Sequence, residues 1–236
     1  MNTQQISTEL LNLLQSVDTP TVFNAIEVAQ GKRGYDGFTR GTVLAANQSL
    51  PAFCGLARTA RIRGNSPSSE PATDVRARRM AYYRHMAEAP QPSITVIEDL
   101  DYPEATGAYW GEVNTFVHKA FGISGVLTNG VMRDLGDLAP DFQVIAGSIG
   151  PSHGFVHVVD IGKPVSVFGL TISDGDFIHA DRHGAVIVPP DVLPVLGMAI
   201  EKMRRSEDII LAPARKGKMT FVEFEAAWMA FEKARV

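Results

Sequence analysis

Residues 93–99, SITVIED, and 122–138, GISGVLTNGVMRDLGDL, carry the reading on which the fold class rests. SITVIED and SGVLTNG are short apolar runs bounded by turn residues, and they read as strands. Between them WGEVNTFVHKAFG (110–122) has helical spacing and is closed by Gly122. Strand, helix and strand in alternation point to an α/β sheet. The turn NGVMRDLGD then falls at the carboxyl end of a strand, where such sheets bind their ligands.

Working outward, ARTARIR (57–63) alternates like a half-buried strand and GNSPSSEPAT (64–73) is a loop. TDVRARRMAYYRHMAEA (73–89) is a helix capped at Thr73 and stopped by Pro90. At the start, Ile6, Leu10, Leu11, Leu13, Leu14 and Val17 recur at helical spacing. Asp18-Thr19-Pro20 then opens a second helix that Gly31 stops. Downstream, FQVIAGS, FVHVVD, PVSVFG, DFIHAD and GAVIVP are strands, followed by a helix from about Asp191 to Leu211 and an amphipathic FVEFEAAWMAFEKAR (221–235). The 236 residues are 45% apolar and 20% charged, which excludes a disordered, collagenous or coiled-coil chain. A net charge of -4 argues against a nucleic-acid binder, and one cysteine, Cys54, excludes a disulfide framework or a thiolate zinc site. No apolar run approaches the roughly 20 residues of a membrane span, and the start lacks a signal-peptide pattern, so a cytoplasmic, soluble protein is expected.

Within the turn, Arg133 offers a rigid fork of donors suited to a carboxylate or an enolate, and Asp134 and Asp137 are hard oxygen ligands for Mg²⁺ or Mn²⁺. From spacing alone an exposed ion pair in a surface turn is the stronger reading. In YWGEV, a glycine before Glu112 admits close approach of a ligand, and the first-turn amides of Val113 and Asn114 suit an anion. Taken alone, Glu112 complementing the helix dipole is the simpler account. His153 with His157, and His179 with His183, are spaced four apart but lack a metal-binding helix, so they read as structural. Glu98, Asp99 and Asp101 read as a solvated loop, and RARRMAYYR (76–84) as a solvated helix face rather than a nucleic-acid patch. Glycine-rich nucleotide loops are absent, which removes support for dinucleotide, P-loop and S-adenosylmethionine chemistry.

The series TPTVFNAI, FCGLARTAR, WGEV, GISGVLTNGVMRDLGDL, KPVSVFGL and DGDFIHADRHGAVIVPP, over roughly residues 15–212, resembles the ribonuclease-activity-regulator-A-like family. That family includes the divalent-metal-dependent 4-hydroxy-4-methyl-2-oxoglutarate/4-carboxy-4-hydroxy-2-oxoadipate aldolases, and Arg133, Asp134 and Asp137 together look like the aldolase branch. The resemblance implies a swivelling β/β/α three-layer α/β domain over residues 1–212, with its N-terminal helical segment, and a C-terminal helical extension over 213–236. It implies a homotrimer or dimer of trimers with active sites between subunits, a class II-type pyruvate aldolase activity, and oxaloacetate decarboxylation beside it. Asp134 would bind Mg²⁺ or Mn²⁺, with Asp137 near it, and Arg133 would hold the pyruvate carbonyl oxygen. Glu112 would hold metal-bound water and assist proton transfer, and the Val113 and Asn114 amides would hold the 2-oxo acid's carboxylate. An acid from a neighbouring subunit's late helix, Glu207 with Glu201 behind it, would complete the metal surround. The family's alternative role is a non-catalytic regulator of ribonuclease activity. Asn129 and Asn24 depart from aspartates common in relatives, and the tail beyond about Lys216 is longer than usual, with Trp228 expected at a subunit interface.

Overall fold

The structure, a computed structural model, describes residues 6–235. In chain order its elements are α1 (Thr8–Gln15), α2 (Thr19–Gln30), β1 (Leu44–Ala45), β2 (Phe53–Arg63), α3 (Ala72–Ala87), β3 (Ser93–Asp99), β4 (Ala108–Trp110), α4 (Glu112–Ala120), β5 (Ile123–Thr128) and β6 (Val131–Met132). There follow β7 (Gln143–Ala146), β8 (Ser148–Ile149), β9 (His157–Ile161), β10 (Val165–Val167), β11 (Leu170–Ile172), β12 (Phe177–Asp181), β13 (Gly184–Val188), a 3-10 turn (Leu193–Val195), α5 (Leu196–Ala214) and α6 (Phe221–Arg235). Two compact units result, one reaching to Thr19 and resuming over Gly37–Val188, the other formed by Pro20–Asp36 and the chain from Pro189 onward.

In the first unit the main sheet has the order β1-β7-β5-β3-β2-β12-β13, with β9 also paired to β2. Its centre, β2, β3, β5 and β7, is parallel, and β1, β9, β12 and β13 pair antiparallel around it. Alternation at period two sends side chains to both faces. Ile94, Val96, Leu127 and Ile145 face one core, which the β10–β11 hairpin closes with Val165, Val167, Leu170 and Ile172. Ile97, Val126, Val144 and Ala146 face the other, which α3 closes with Tyr82 and Met86 and β4 with Trp110. Hairpin, sheet and helices thus form the expected β/β/α layers of an α/β fold. The hairpin reverses at Phe168 and Gly169, both at positive φ (50° and 74°), the geometry of a two-residue primed turn.

Several expectations change in detail. FQVIAGS is not one strand: the chain leaves the main sheet at Gly147, and β8 joins a small parallel sheet of order β4-β6-β8. Gly147 packs against the Asn129 backbone, so only a residue without Cβ fits there. α3 starts at Ala72 behind Pro71, whose carbonyl accepts from the Asp74 and Val75 amides, and Thr73 is not the cap. In the second unit the late helix opens with a 3-10 turn around Pro194 and runs to Ala214. α6 packs beside α5 and carries a ladder of Phe224, Trp228 and Phe231 rings. Among the described residues no helix is long and apolar enough to cross a membrane.

Candidate active site

The end of β5 feeds the site through Asn129. Its buried side-chain oxygen accepts from the Asp99 amide (2.7 Å) and its Nδ2 donates to the Asp99 carbonyl (3.2 Å), tying the ends of β5 and β3 together. An aspartate could accept there but not donate, which accounts for asparagine at this position. β6 then lies beside β4, and the Arg133 amide continues the pairing to the Trp110 carbonyl (2.8 Å). Asp134 turns away at φ 53°, and its carbonyl accepts from the Asp137 amide (2.9 Å). That left-handed conformation is tolerated by aspartate better than by most residues, and it lifts the side chain towards the start of α4.

At the start of α4 the parts meet. Asp134 Oδ2 accepts from the Glu112 amide (3.2 Å) and lies 3.4 Å from Arg133 Nε, with both side chains about one-third exposed (34% and 31%). Gly111 makes this possible: an added Cβ would overlap Asp134 Oδ2 and lie 3.1 Å from Arg133 Cγ. The amides of Val113 and Asn114 belong to the first turn, whose N–H groups have no partner within the helix. The Asn114 side chain is held from both sides, Nδ2 donating to the Tyr109 carbonyl (2.6 Å) and Oδ1 accepting from the Tyr83 hydroxyl (2.8 Å). Behind it, buried His118 must donate from Nδ1 to the Asn114 carbonyl (2.6 Å), which leaves Nε2 to accept from the Tyr82 hydroxyl (2.6 Å). Burial lowers the His118 pKa to about 4, so the ring stays neutral and α4 stays fixed against α3.

Of the residues expected to hold a metal, Asp134 is brought to the backbone amide of Glu112, Asp137 is exposed in the same turn, and Glu207 belongs to the second unit. There Glu207 lines a hollow of about 910 Å³ with Arg33 and Trp228. Among the described residues no group of three metal-ligating side chains is gathered in the chain. A partly exposed carboxylate fits a hard ion such as Mg²⁺, which keeps several waters and takes one or two protein carboxylates. It does not fit a closed zinc cage.

Arg133, Val113 and Asn114 face a cleft of about 840 Å³. Its other walls are α3, through Arg76, Arg79 and Tyr83, and the segment from His153 to His157. The arginine helix is therefore not simply a solvated face. Arg76, Arg79 and Tyr83 are spaced three and four apart on one side of α3, and that spacing was the available signal. The histidine pairs gather no metal group: His179 bonds the Leu14 carbonyl (2.8 Å) and Thr19 (3.1 Å), and His183 pairs with Asp181 (3.1 Å). Cys54 is buried, and burial pushes its thiol up to about 12, as expected of an unreactive core cysteine.

Residues 19–187 match the family model RraA-like, Aldolase/RraA. Protein DlpA of Legionella pneumophila is 24% identical over 159 residues, 64% of this chain and 26% of its own length. The chain spans less than half the length of the curated relatives it matches. Among solved structures, an uncharacterized protein from Pseudomonas syringae pv. tomato superposes with TM-score 0.71 at 20% identity, covering 95% of this chain and 94% of that one. Streptomyces coelicolor RraAS2, described as an unusual member of the RNase ES inhibitor RraA protein family, gives TM-score 0.64 at 20% identity over 85% of this chain and 95% of that one. The matched segment runs from the first residue of α2 almost to the end of β13 and contains the whole Gly111–Asp134 site, and on that ground the chain belongs to the RraA-like family, which holds both lyases and non-catalytic regulators.

Proposed function

We propose that this chain is a lyase of the aldolase branch, cleaving 4-hydroxy-2-oxo acids such as 4-hydroxy-4-methyl-2-oxoglutarate to release pyruvate, and decarboxylating oxaloacetate beside it. The observation that carries the reading is the pairing of Arg133 and Asp134 against the open first turn of α4, at a cleft large enough for an organic acid. Asp134, with Glu112 and Asp137 near it and Glu207 from a neighbouring subunit of a homotrimer or dimer of trimers, would hold Mg²⁺ or Mn²⁺. When bound, the ion supplies Lewis-acid stabilisation of charge on the 2-oxo group.

The chain's own residues do the rest. The Val113 and Asn114 amides, at the positive end of α4, hold the substrate's carboxylate. Arg133 points its guanidinium at the ketone oxygen. As the C3–C4 bond breaks, negative charge moves onto that oxygen, so the arginine contact strengthens in the transition state. Glu112 holds the water that takes the hydroxyl proton and assists return of a proton to the pyruvate enolate. Asp134 keeps Arg133 oriented through their contact.

Pyruvate release is measured with Mg²⁺, with Mn²⁺ and with EDTA. The expected result is metal-dependent release from both 2-oxo acids, and loss of at least about 100-fold in Asp134→Asn and Arg133→Ala. Asparagine tolerates the left-handed backbone at residue 134, so the first variant tests the charge rather than the turn. Near-normal turnover in either variant overturns the assignment. Absence of turnover in the wild type, with a stoichiometric protein captured, would favour the family's regulator role.

A further inference from the structure

The cleft beside Arg133 is larger and more basic than a pyruvate unit needs. Arg76, Arg79, Arg133, His153 and His157 line it, and the one acid among the lining residues, Glu70, is already paired with Arg78 (Nη2 to Oε1, 2.7 Å). The positions along α3 follow from the helix itself. Tyr83 donates to Asn114 Oδ1 (2.8 Å), so it stands beside the turn that would hold the 2-oxo acid's carboxylate. Arg79 lies one turn from Tyr83 and Arg76 two, about 6 Å and about 10 Å farther along the axis. Arg79 also reaches across the cleft, its Nη2 donating to the Val156 carbonyl (3.3 Å). That bond uses one of five guanidinium N–H groups and holds the plane of the rest.

We infer that Arg79, with Arg76 beyond it, is the specificity determinant for the far end of the substrate: together they bind a second carboxylate, so the cleft prefers 2-oxo acids that carry one over neutral chains of equal length. The inference rests on the lyase reading for the identity of the near end, and takes only the wall from α3 as its own ground. An arginine matches a carboxylate bidentately, and two arginines one turn apart on the same helix face can share it. A neutral chain would leave those donors to water and gain nothing from them.

The test is a pair of unreactive probes matched in length, 2-oxoglutarate and 2-oxopentanoate, titrated calorimetrically into the wild type and into R76Q, R79Q and R79K with Mg²⁺ present. The expected result is a preference of about tenfold or more for 2-oxoglutarate in the wild type. R76Q and R79Q should each lose most of it, with 2-oxopentanoate affinity unchanged, and R79K should keep part. Unchanged 2-oxopentanoate binding shows that the near end remains folded. Equal affinity for the two probes in the wild type, no binding of either, or a preference surviving in R76Q/R79Q overturns the inference. The lyase reading stands or falls separately: pyruvate release without a probe preference sinks only the arginine wall, and a preference without pyruvate release sinks only the lyase.

Discussion

Asp99 and His118 show how single buried groups set the behaviour of the site's supports. Asp99, at the end of β3, is 1% exposed, and its Oδ2 has no hydrogen-bond partner among the described residues. Burial raises its pKa from 3.8 to about 6, against the pull of the Asp101 amide. The folded protein therefore binds this proton more tightly than the unfolded chain. Asp99 favours folding fully below about pH 3.8, and that contribution is lost as pH rises through 6. His118 behaves oppositely: burial lowers it from 6.5 to about 4, so its contribution is present above pH 6.5 and lost as pH falls through 4. Each shift corresponds to about 3 kcal/mol, and between pH 4 and 6 the two slopes oppose each other. Asp99→Asn removes one of them. Its urea midpoint should fall between pH 7 and pH 4.5 more steeply than that of the wild type. Equal pH slopes for the two proteins would mean that Asp99 is ionised in the folded state.

At the scale of elements, the parts legible in the sequence are those whose pattern is local. SITVIED and FVEFEAAWMAFEKAR match β3 and α6 residue for residue; Pro92 and Asp101 punctuate the first on either side, and Gly217 precedes the second. The placement of Arg133 and Asp134 in a turn after a strand was legible because strand and turn lie close in the chain. β4, β6 and β8, of two or three residues, were not, since their pairing is set by neighbours distant in sequence and leaves no periodicity. Nor was the cleft-facing side of α3, because a charge pattern on a helix does not say what the helix docks against. The wall opposite α3 depends on a junction of backbones that only glycine permits. A Cβ on Gly107 would lie 3.0 Å from Gly64 Cα and 2.7 Å from Val156 Cγ2, and one on Gly154 would lie 2.6 Å from the Gly64 carbonyl oxygen. Gly107→Ala should force the His153–His157 segment outward and lower Tm by roughly 3–10 °C. Gly136, with open space around its missing Cβ and an ordinary φ, should accept alanine with Tm unchanged. Equal Tm values for Gly107→Ala and the wild type would show that the junction yields freely.

At the scale of the whole molecule, the proposed chemistry divides between the two units. Arg133 and Asp134 belong to the first, whereas Glu207 belongs to α5 of the second. Among its described residues the first unit alone gathers no three-ligand group. In the trimeric reading the missing acid comes from a neighbouring chain, so no single chain is a complete enzyme. Trp228 is 43% exposed and Phe221 71% exposed on α6, large apolar area that such an assembly would cover. The consequence is testable by mixing. Arg133→Ala lacks the group that meets the ketone oxygen, and Glu207→Ala lacks the acid given to the neighbour, so each homo-oligomer should be nearly inactive. When the two are unfolded together and refolded as mixed oligomers, some sites take Arg133 from one parent and Glu207 from the other. With equal amounts and random assembly, about a quarter of the sites should be intact and activity should return to about that fraction of wild type. Mixing the folded homo-oligomers without exchange should restore none. Failure of the refolded mixture to recover, with both parent variants inactive, would place Arg133 and Glu207 of one site in the same chain and remove the shared site; a fully active Glu207→Ala would remove Glu207 from the site altogether.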